Sequence, residues 1–236
     1  MRQVNEQWLD RVRERAAWAW PLRAKEARVD VATYERLATQ KIRGWSADAE
    51  VRLRIPEDQL MAFLRSGSYQ TLATTGTSGG TTNLAIRRAV EDQIFGIPRS
   101  ADAEARPIYG YLEGSDEHHA LPQWGPVVLV VDHSVRERAT FILGDSVDST
   151  IQGRHPLLAP EPLQAPCLLA ASSNQNVLQA ASLADACSQH GRYAEVQIYR
   201  GLDREDIARV TCTAGWQPSA ESARLLHAYG IAVASV

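Results

Sequence analysis

Apolar residues recur at helical spacing through the first fifty residues of the chain. Trp8, Leu9, Val12, Ala16, Ala19 and Trp20 fall on one stripe while Asp10, Arg11, Arg13 and Glu14 face away, until Pro21 interrupts the pattern. A second helical stretch, ATYERLATQKI, follows at 32–42. PEDQLMAFLRSG, at 56–67, has proline at its start and glycine past its end, the asymmetry expected of helix termini. TTGTSGGTTN, at 74–83, reads as a loop, and NLAIRRAVEDQIFGI, at 83–97, predicts a further helix closed by Gly96 and Pro98.

From residue 105 the pattern changes from helical spacing to short strands. ARPIYGYLEG, GPVVLVVD, RATFILGDS, RYAEVQIYRG and EDIARVTC are short runs of β-branched and aromatic residues between turn formers, and each predicts a strand. A proline-rich loop, LLAPEPLQAP, and a helix over NQNVLQAASLADACSQHG separate the third from the fourth. The chain closes with a helix, SAESARLLHAYG, and a last strand, IAVASV. Helices first, then strands with few helices between them, predict an α+β fold with a mostly antiparallel sheet.

Composition narrows the function more than the fold. With 236 residues, 44% hydrophobic and 22% charged, the chain is long enough to bury a sizeable core. A net charge of −3 supplies no overall attraction to nucleic acid or anionic lipid, so neither is expected as a partner. No apolar run reaches the length of a membrane span, and MRQVNEQWLDRVRERAAW is too charged for a secretory signal. Synthesis in a cytoplasm is expected, with passage into a host cell by a specialised secretion system left open. Cys167, Cys187 and Cys212 are odd in number and set among apolar residues, as buried reduced thiols would be. The tryptophan- and arginine-rich start of the chain reads as a helical cap or as a partner-binding segment.

Several clusters carry no chemistry. Asp132, His133 and Ser134 are adjacent on a turn and cannot relay protons to one another. Asp116, Glu117, His118 and His119 are consecutive, the wrong spacing for metal ligands on one element, and no metal is expected. There is no dinucleotide fingerprint, which argues against hydride transfer on a doubly wound domain.

The strand RYAEVQIYRG is different. Alternation puts Ala194, Val196 and Ile198 on a core face and Tyr193, Glu195, Gln197 and Tyr199 on the other, where a carboxylate needs hydrogen bonds or a functional reason. Arg106 opens the strand RPIYGYL, where a guanidinium can clamp a phosphate or carboxylate. Gly144, Asp145 and Ser146 end the strand TFILGDS, where hydroxyl and carboxylate can line a cleft.

An arginine strand, a serine-bearing strand end and a Glu/Gln strand, in that order, resemble the R-S-E class of ADP-ribosyltransferases. The wording is closest to bacterial and phage-borne members, whose strands look like RPxYG, T-F-T-x-GDS and Y-x-E-x-Q, and to Xanthomonas-type III effectors built on that domain. The resemblance covers residues 56–236 and leaves 1–55 as an N-terminal helical segment. It implies two mostly antiparallel sheets forming a central cleft for NAD. It further implies cleavage of NAD and transfer of ADP-ribose to a protein acceptor, in the manner of a bacterial virulence effector. Carried over by motif, Arg106 would hold the phosphates and nicotinamide ribose, with Ser146 and Asp145 bracing the site. Glu195 would stabilise the positive charge that develops as nicotinamide leaves. The chain departs from the family in reading Glu195-Val196-Gln197 where other members read E-x-E or Q-x-E, and GDS where they read STS. If Glu195 is the catalytic carboxylate, Tyr193 stands at the acceptor-choosing position two before it; if Gln197 stands in the catalytic place, the carboxylate is missing. The first register is favoured because Val196 and Ile198 then follow the carboxylate as core residues. The rival expectation is a module of this fold that binds a peptide or protein without turning over NAD; hydrolysis of NAD with no acceptor is a third.

Overall fold

The backbone alternation of five residues, Val51–Ile55, organises the molecule. Val51, Leu53 and Ile55 are buried on one side of this strand, β1, and Arg52 and Arg54 lie on the other. The computed structural model describes residues 20–69, 71–75, 84–114, 124–143, 146, 168–169, 177–188, 193–213 and 215–235. Within them β1 is followed by β2 (Ile108–Leu112), β3 (Val127–Val131), β4 (Ala139–Leu143), β5 (Leu168–Leu169), β6 (Ala194–Ile198), β7 (Ile207–Cys212) and β8 (Ala232–Ser235). All eight join one sheet in the order β5-β4-β6-β2-β1-β3-β7-β8, antiparallel except for the edge pairs β4–β5 and β7–β8. The fold is α+β and mostly antiparallel as expected, but the expected pair of sheets is corrected to a single one. The reason is β1: it hydrogen-bonds to β2 on one side and β3 on the other, and so fuses what would be two halves. Gly110 permits this closeness, since a Cβ there would stand 2.6 Å from the Arg52 carbonyl oxygen.

Helices α1 (Trp20–Ala27), α2 (Val31–Ser46), α3 (Glu57–Ser66), α6 (Leu183–Ser188) and α7 (Ala220–Ala228) contribute to the apolar core. Ala24, Tyr34, Ala38, Ile42, Leu60, Phe63, Leu64, Ala186 and Leu226 belong to one cluster with Leu53, Ile55, Leu129, Phe141, Val196 and Val210 of the sheet. Side chains of the α2 stretch therefore share a core with the strands. Asp30 caps α2 by accepting from the Thr33 amide at 2.9 Å. Pro21 lies in the first turn of α1, where its missing N–H costs nothing. The helix expected across 174–191 is confined, among its described residues, to Leu183–Ser188, because the Ser182 hydroxyl caps it there by accepting from the Asp185 amide at 3.1 Å. Cys187 and Cys212 are buried. Cys167, the stripe over residues 8–19, the four acidic and histidine residues at 116–119 and the loop at 157–166 lie outside the described residues.

Arginines tie these layers together through carbonyl oxygens. Arg136 donates to the carbonyls of Ser46, Ala47 and Ala49 at 2.6, 3.0 and 3.0 Å, which satisfies acceptors that the end of α2 leaves open. Arg138 donates to the Tyr199 carbonyl at 2.7 Å and to that of Gly201, and pairs with Asp206 at 2.6 Å. It thereby fixes the left-handed turn at Arg200 and Gly201 that ends β6.

Glu57 joins α3 to the start of α7. It accepts from the Ser222 hydroxyl at 2.6 Å, the Ser219 amide at 3.0 Å and the Trp216 indole at 3.3 Å. These bonds hold its carboxyl down at about 2, from an ordinary 4.5. A carboxyl depressed in the folded state adds stability that is complete above about pH 4.5 and fades as the pH falls toward 2. Glu57→Gln is expected to cost about 1–2 kcal/mol at pH 7, allowing for partial exposure. In thermal melts from pH 7 to pH 2 the gap from wild type should close on the acid side; a constant gap would mean that the carboxylate charge is not what matters.

Candidate functional site

The three motif strands are neighbours. Arg106 leads into β2, Ser146 follows β4, and β6, carrying Glu195 and Gln197, lies between β4 and β2. Cross-strand register places Tyr109 opposite Gln197 and Tyr111 opposite Glu195, with Thr140 opposite Gln197 from the other side. Partners in register share a face. Glu195, Gln197, Thr140 and Tyr109 therefore line the side of the sheet away from the main helical layer. The helix α5 (Leu84–Val90) brings a further side chain, Arg87, to this face. At Glu91 α5 becomes a π-helical turn, Glu91–Phe95, closed by Gly96 at φ 69°.

A continuous polar chain runs beneath this segment. Arg106, only 2% exposed, pairs with Glu91 and donates to the carbonyls of Pro98, Arg99 and Ala101 at 3.2, 2.9 and 3.0 Å. Glu91 also accepts from the Tyr109 hydroxyl at 2.9 Å. The guanidinium of Arg87 lies 3.8 Å from the centre of the Tyr109 ring. It donates to the Ser146 hydroxyl at 3.0 Å and stands 3.7 Å from the Glu195 carboxylate. Glu195 accepts from the Gln197 amide at 2.8 Å, and Gln197 accepts from the Thr140 hydroxyl at 2.9 Å. Thr140 and the Tyr199 hydroxyl are 3.3 Å apart.

The electrostatics follow from burial. Two guanidinium groups, Arg87 and Arg106, face two carboxylates, Glu91 and Glu195, in a largely buried setting. Burial pushes the Glu91 carboxyl up, against the pull of Arg106. Burial also pushes the Tyr109 hydroxyl well above its ordinary range, with the Glu91 charge adding to it, and does the same at Tyr199. A carboxylate held by an amide, beside a hydroxyl and an aromatic face, can stabilise a planar positive charge.

The sequence-derived residues are thus placed as follows. Ser146 and Glu195 meet around one cation, and Gln197 is bonded to Glu195. Arg106 reaches the same network only through Glu91 and Tyr109, and its terminal nitrogens are turned to protein acceptors. Tyr193 packs in a separate small cluster with Tyr111 and meets Trp124 edge-on at 5.4 Å. Asp145 lies outside the described residues. Arg87, Glu91, Tyr109 and Thr140 were not singled out from sequence, and Tyr199 was read only as lying on the polar face of its strand. A signal existed: Arg87 and Glu91 are four apart, on one side of the predicted helix. Among the described residues no group of three or more histidine, cysteine or acidic side chains is placed to hold a metal, and no helix is long and apolar enough to cross a membrane.

No protein-family model matches the chain, and no curated protein matches it significantly. Two solved structures of a Thermus sp. 2.9 protein are similar to it in fold. One is DarT in complex with ADP-ribosylated single-stranded DNA, with a TM-score of 0.45 and 12% identity, covering 79% of this chain and 93% of that one. The other is DarT in complex with carba-NAD+, with a TM-score of 0.41 and 12% identity, covering 79% and 94%. The expectation of a protein acceptor and no nucleic-acid partner is corrected: the first of these structures holds ADP-ribosylated single-stranded DNA, so the exclusion does not stand. A net charge of −3 bears on the molecule as a whole and not on one local surface.

Removing one member of a buried ion pair strands the other charge. Arg106→Ala is expected to lower stability by about 3–5 kcal/mol, whereas Glu91→Leu with Arg106→Met should recover part of that loss, since the carbonyls of Pro98, Arg99 and Ala101 and the Tyr109 hydroxyl still lose these bonds. Urea unfolding of wild type, single and double variants checks this; a single variant as stable as wild type would show that the pair is not buried in solution.

Proposed function

We propose that the polar face over β4, β6 and β2 is the NAD site of a protein of the ADP-ribosyltransferase type, with NAD as its substrate. The observation that carries this reading is the meeting of Ser146 and Glu195 around a planar cation. NAD contributes a ribose-to-nicotinamide bond whose cleavage leaves positive charge on the ribose. A carboxylate already fixed beside that charge lowers the barrier most when water is excluded, and Glu195 is 1% exposed. Gln197 acts as a positioning residue: its amide holds one Glu195 oxygen, and Thr140 fixes the amide in turn. This gives the E-x-Q order a physical sense, with the carboxylate first and its support second. Arg106 serves as the frame of the site, holding Glu91 and the turn at 98–101. Ser146 braces the site by accepting from Arg87, the cation beside Glu195, and Tyr193, two residues before Glu195, stays with Tyr111 and Trp124.

A second reading rests on the same burial. Glu195 is covered, and Arg87 and Arg106 already neutralise the carboxylates, which is also how a catalytically silent binding module of this fold would look. Nicotinamide release from NAD separates the two, measured with and without a single-stranded DNA oligonucleotide. Glu195→Ala is expected to slow release by about 10²–10³-fold. Gln197→Ala, which loses one hydrogen bond, should slow it on the order of tenfold. Release independent of the oligonucleotide identifies hydrolysis; no binding of NAD and no release would sink the enzymatic reading. Full loss on Gln197→Ala with none on Glu195→Ala would reverse the assignment of the pair.

A further inference from the structure

Among the described residues two of the other buried arginines, Arg106 and Arg136, each end on three backbone carbonyls. Arg87 is held differently. Its guanidinium is enclosed by a hydroxyl at 3.0 Å, a carboxylate at 3.7 Å and a ring centre at 3.8 Å, contributed by Ser146, Glu195 and Tyr109. Two of these walls stand on adjacent strands of the sheet, and each has its own fixing bond. Gln197 fixes Glu195 at 2.8 Å, and Glu91 fixes the Tyr109 hydroxyl at 2.9 Å. The occupant comes from elsewhere, on the seven-residue helix α5, whose Ile86 beside it is 43% exposed. Two of the three walls thus belong to the sheet, and the cation to an outer element.

We propose that Ser146, Glu195 and Tyr109 form a subsite for a planar, delocalised monocation, that Arg87 is its internal occupant, and that an external cation of this class binds by exchange with it. An aromatic face opposed to a carboxylate suits a weakly hydrated flat cation better than a compact ammonium, because less hydration is lost on entry. Two ligand classes share that chemistry: an alkylguanidinium and an N-alkylated pyridinium such as the nicotinamide end of NAD. Only the naming of NAD rests on the reading proposed above; the subsite itself rests on the three walls.

Arg87→Ala empties the subsite and leaves Glu195 without this counter-ion. Millimolar methylguanidinium or 1-methylnicotinamide should then raise the melting temperature of Arg87→Ala, by about 3–6 °C at ten times the dissociation constant. Wild type, in which the probe must displace Arg87, should respond less than Arg87→Ala, and Arg87→Ala with Glu195→Gln, lacking the carboxylate, should not respond. No rise beyond that given by potassium chloride at equal ionic strength, or an equal rise in all three proteins, overturns the proposal. A response to one probe only assigns the class. If Arg87→Ala does not fold, Arg87→Lys keeps a charge in place, and calorimetry should find 1-methylnicotinamide bound at least tenfold more tightly to it than to wild type; equal affinity overturns the proposal. Rescue by the small cations without any binding of NAD would keep the subsite and remove the NAD reading. NAD bound equally by wild type and variant, with no rescue, would do the reverse.

Discussion

Charge balance beneath α5 is the constraint from which the candidate site follows. Glu91 and Glu195 are both buried, and a buried carboxylate without a partner costs several kcal/mol. The sheet supplies one counter-ion, Arg106 at the start of β2, and the covering helix supplies the other, Arg87. Each guanidinium does a second job as well. Arg106 closes the turn at 98–101 through three carbonyls, and Arg87 lies on Tyr109, whose hydroxyl returns to Glu91. Segment 84–106 is therefore docked on the sheet by ionic contacts at the same place where the chemistry is proposed. Packing of that segment and electrostatics of the site are one problem.

The opposite side of the sheet is solved in another way. Aliphatic side chains of six strands meet the helices, and the polar ends of the elements are closed by arginine-to-carbonyl bonds. A guanidinium carries five donors on a long apolar stem, so it can cross a layer and still satisfy several acceptors. On the face that carries the site, beyond Tyr111, the half-exposed group of Glu50, Arg52, Glu113 and Arg209 neutralises itself. The face thus divides into a buried polar part over β4, β6 and β2 and a more open ionic part over β1 and β7.

Much of this was legible in the sequence. Short runs of β-branched and aromatic residues between turn formers marked β2, β3, β4, β6 and β7, the closing run IAVASV marked β8, and the polar face of β6 was evident from Glu195 and Gln197. β1 was missed because VRLRI is a short alternating run between two helices, and its arginines resemble a solvated boundary; its central place is decided by pairing with Leu112 and Leu129, which no local pattern contains. For the same reason one sheet could not be told from two. In the site, the order of the Arg106, Ser146 and Glu195 strands was readable, and their adjacency was not. Arg87 and Glu91 went unmarked, because spacing alone does not say which side of a helix is covered. The direction in which Arg106 spends its donors was equally out of reach, since its acceptors are backbone atoms.

The position of β6 has a temporal side. β2 and β4 do not touch each other in the sheet; each meets β6, which is synthesised some fifty residues after β4 ends. Until that segment leaves the ribosome, β4 and β5 have no strand neighbour that joins them to β2, β1 and β3 in the sheet. Pairings over such sequence separations are slow to find, so closure of the sheet is a late event in maturation. Glu195 arrives on the strand that performs this closure. A nascent or truncated chain therefore has neither a complete sheet nor a carboxylate to act with, and any activity of the site is confined to molecules that have finished folding.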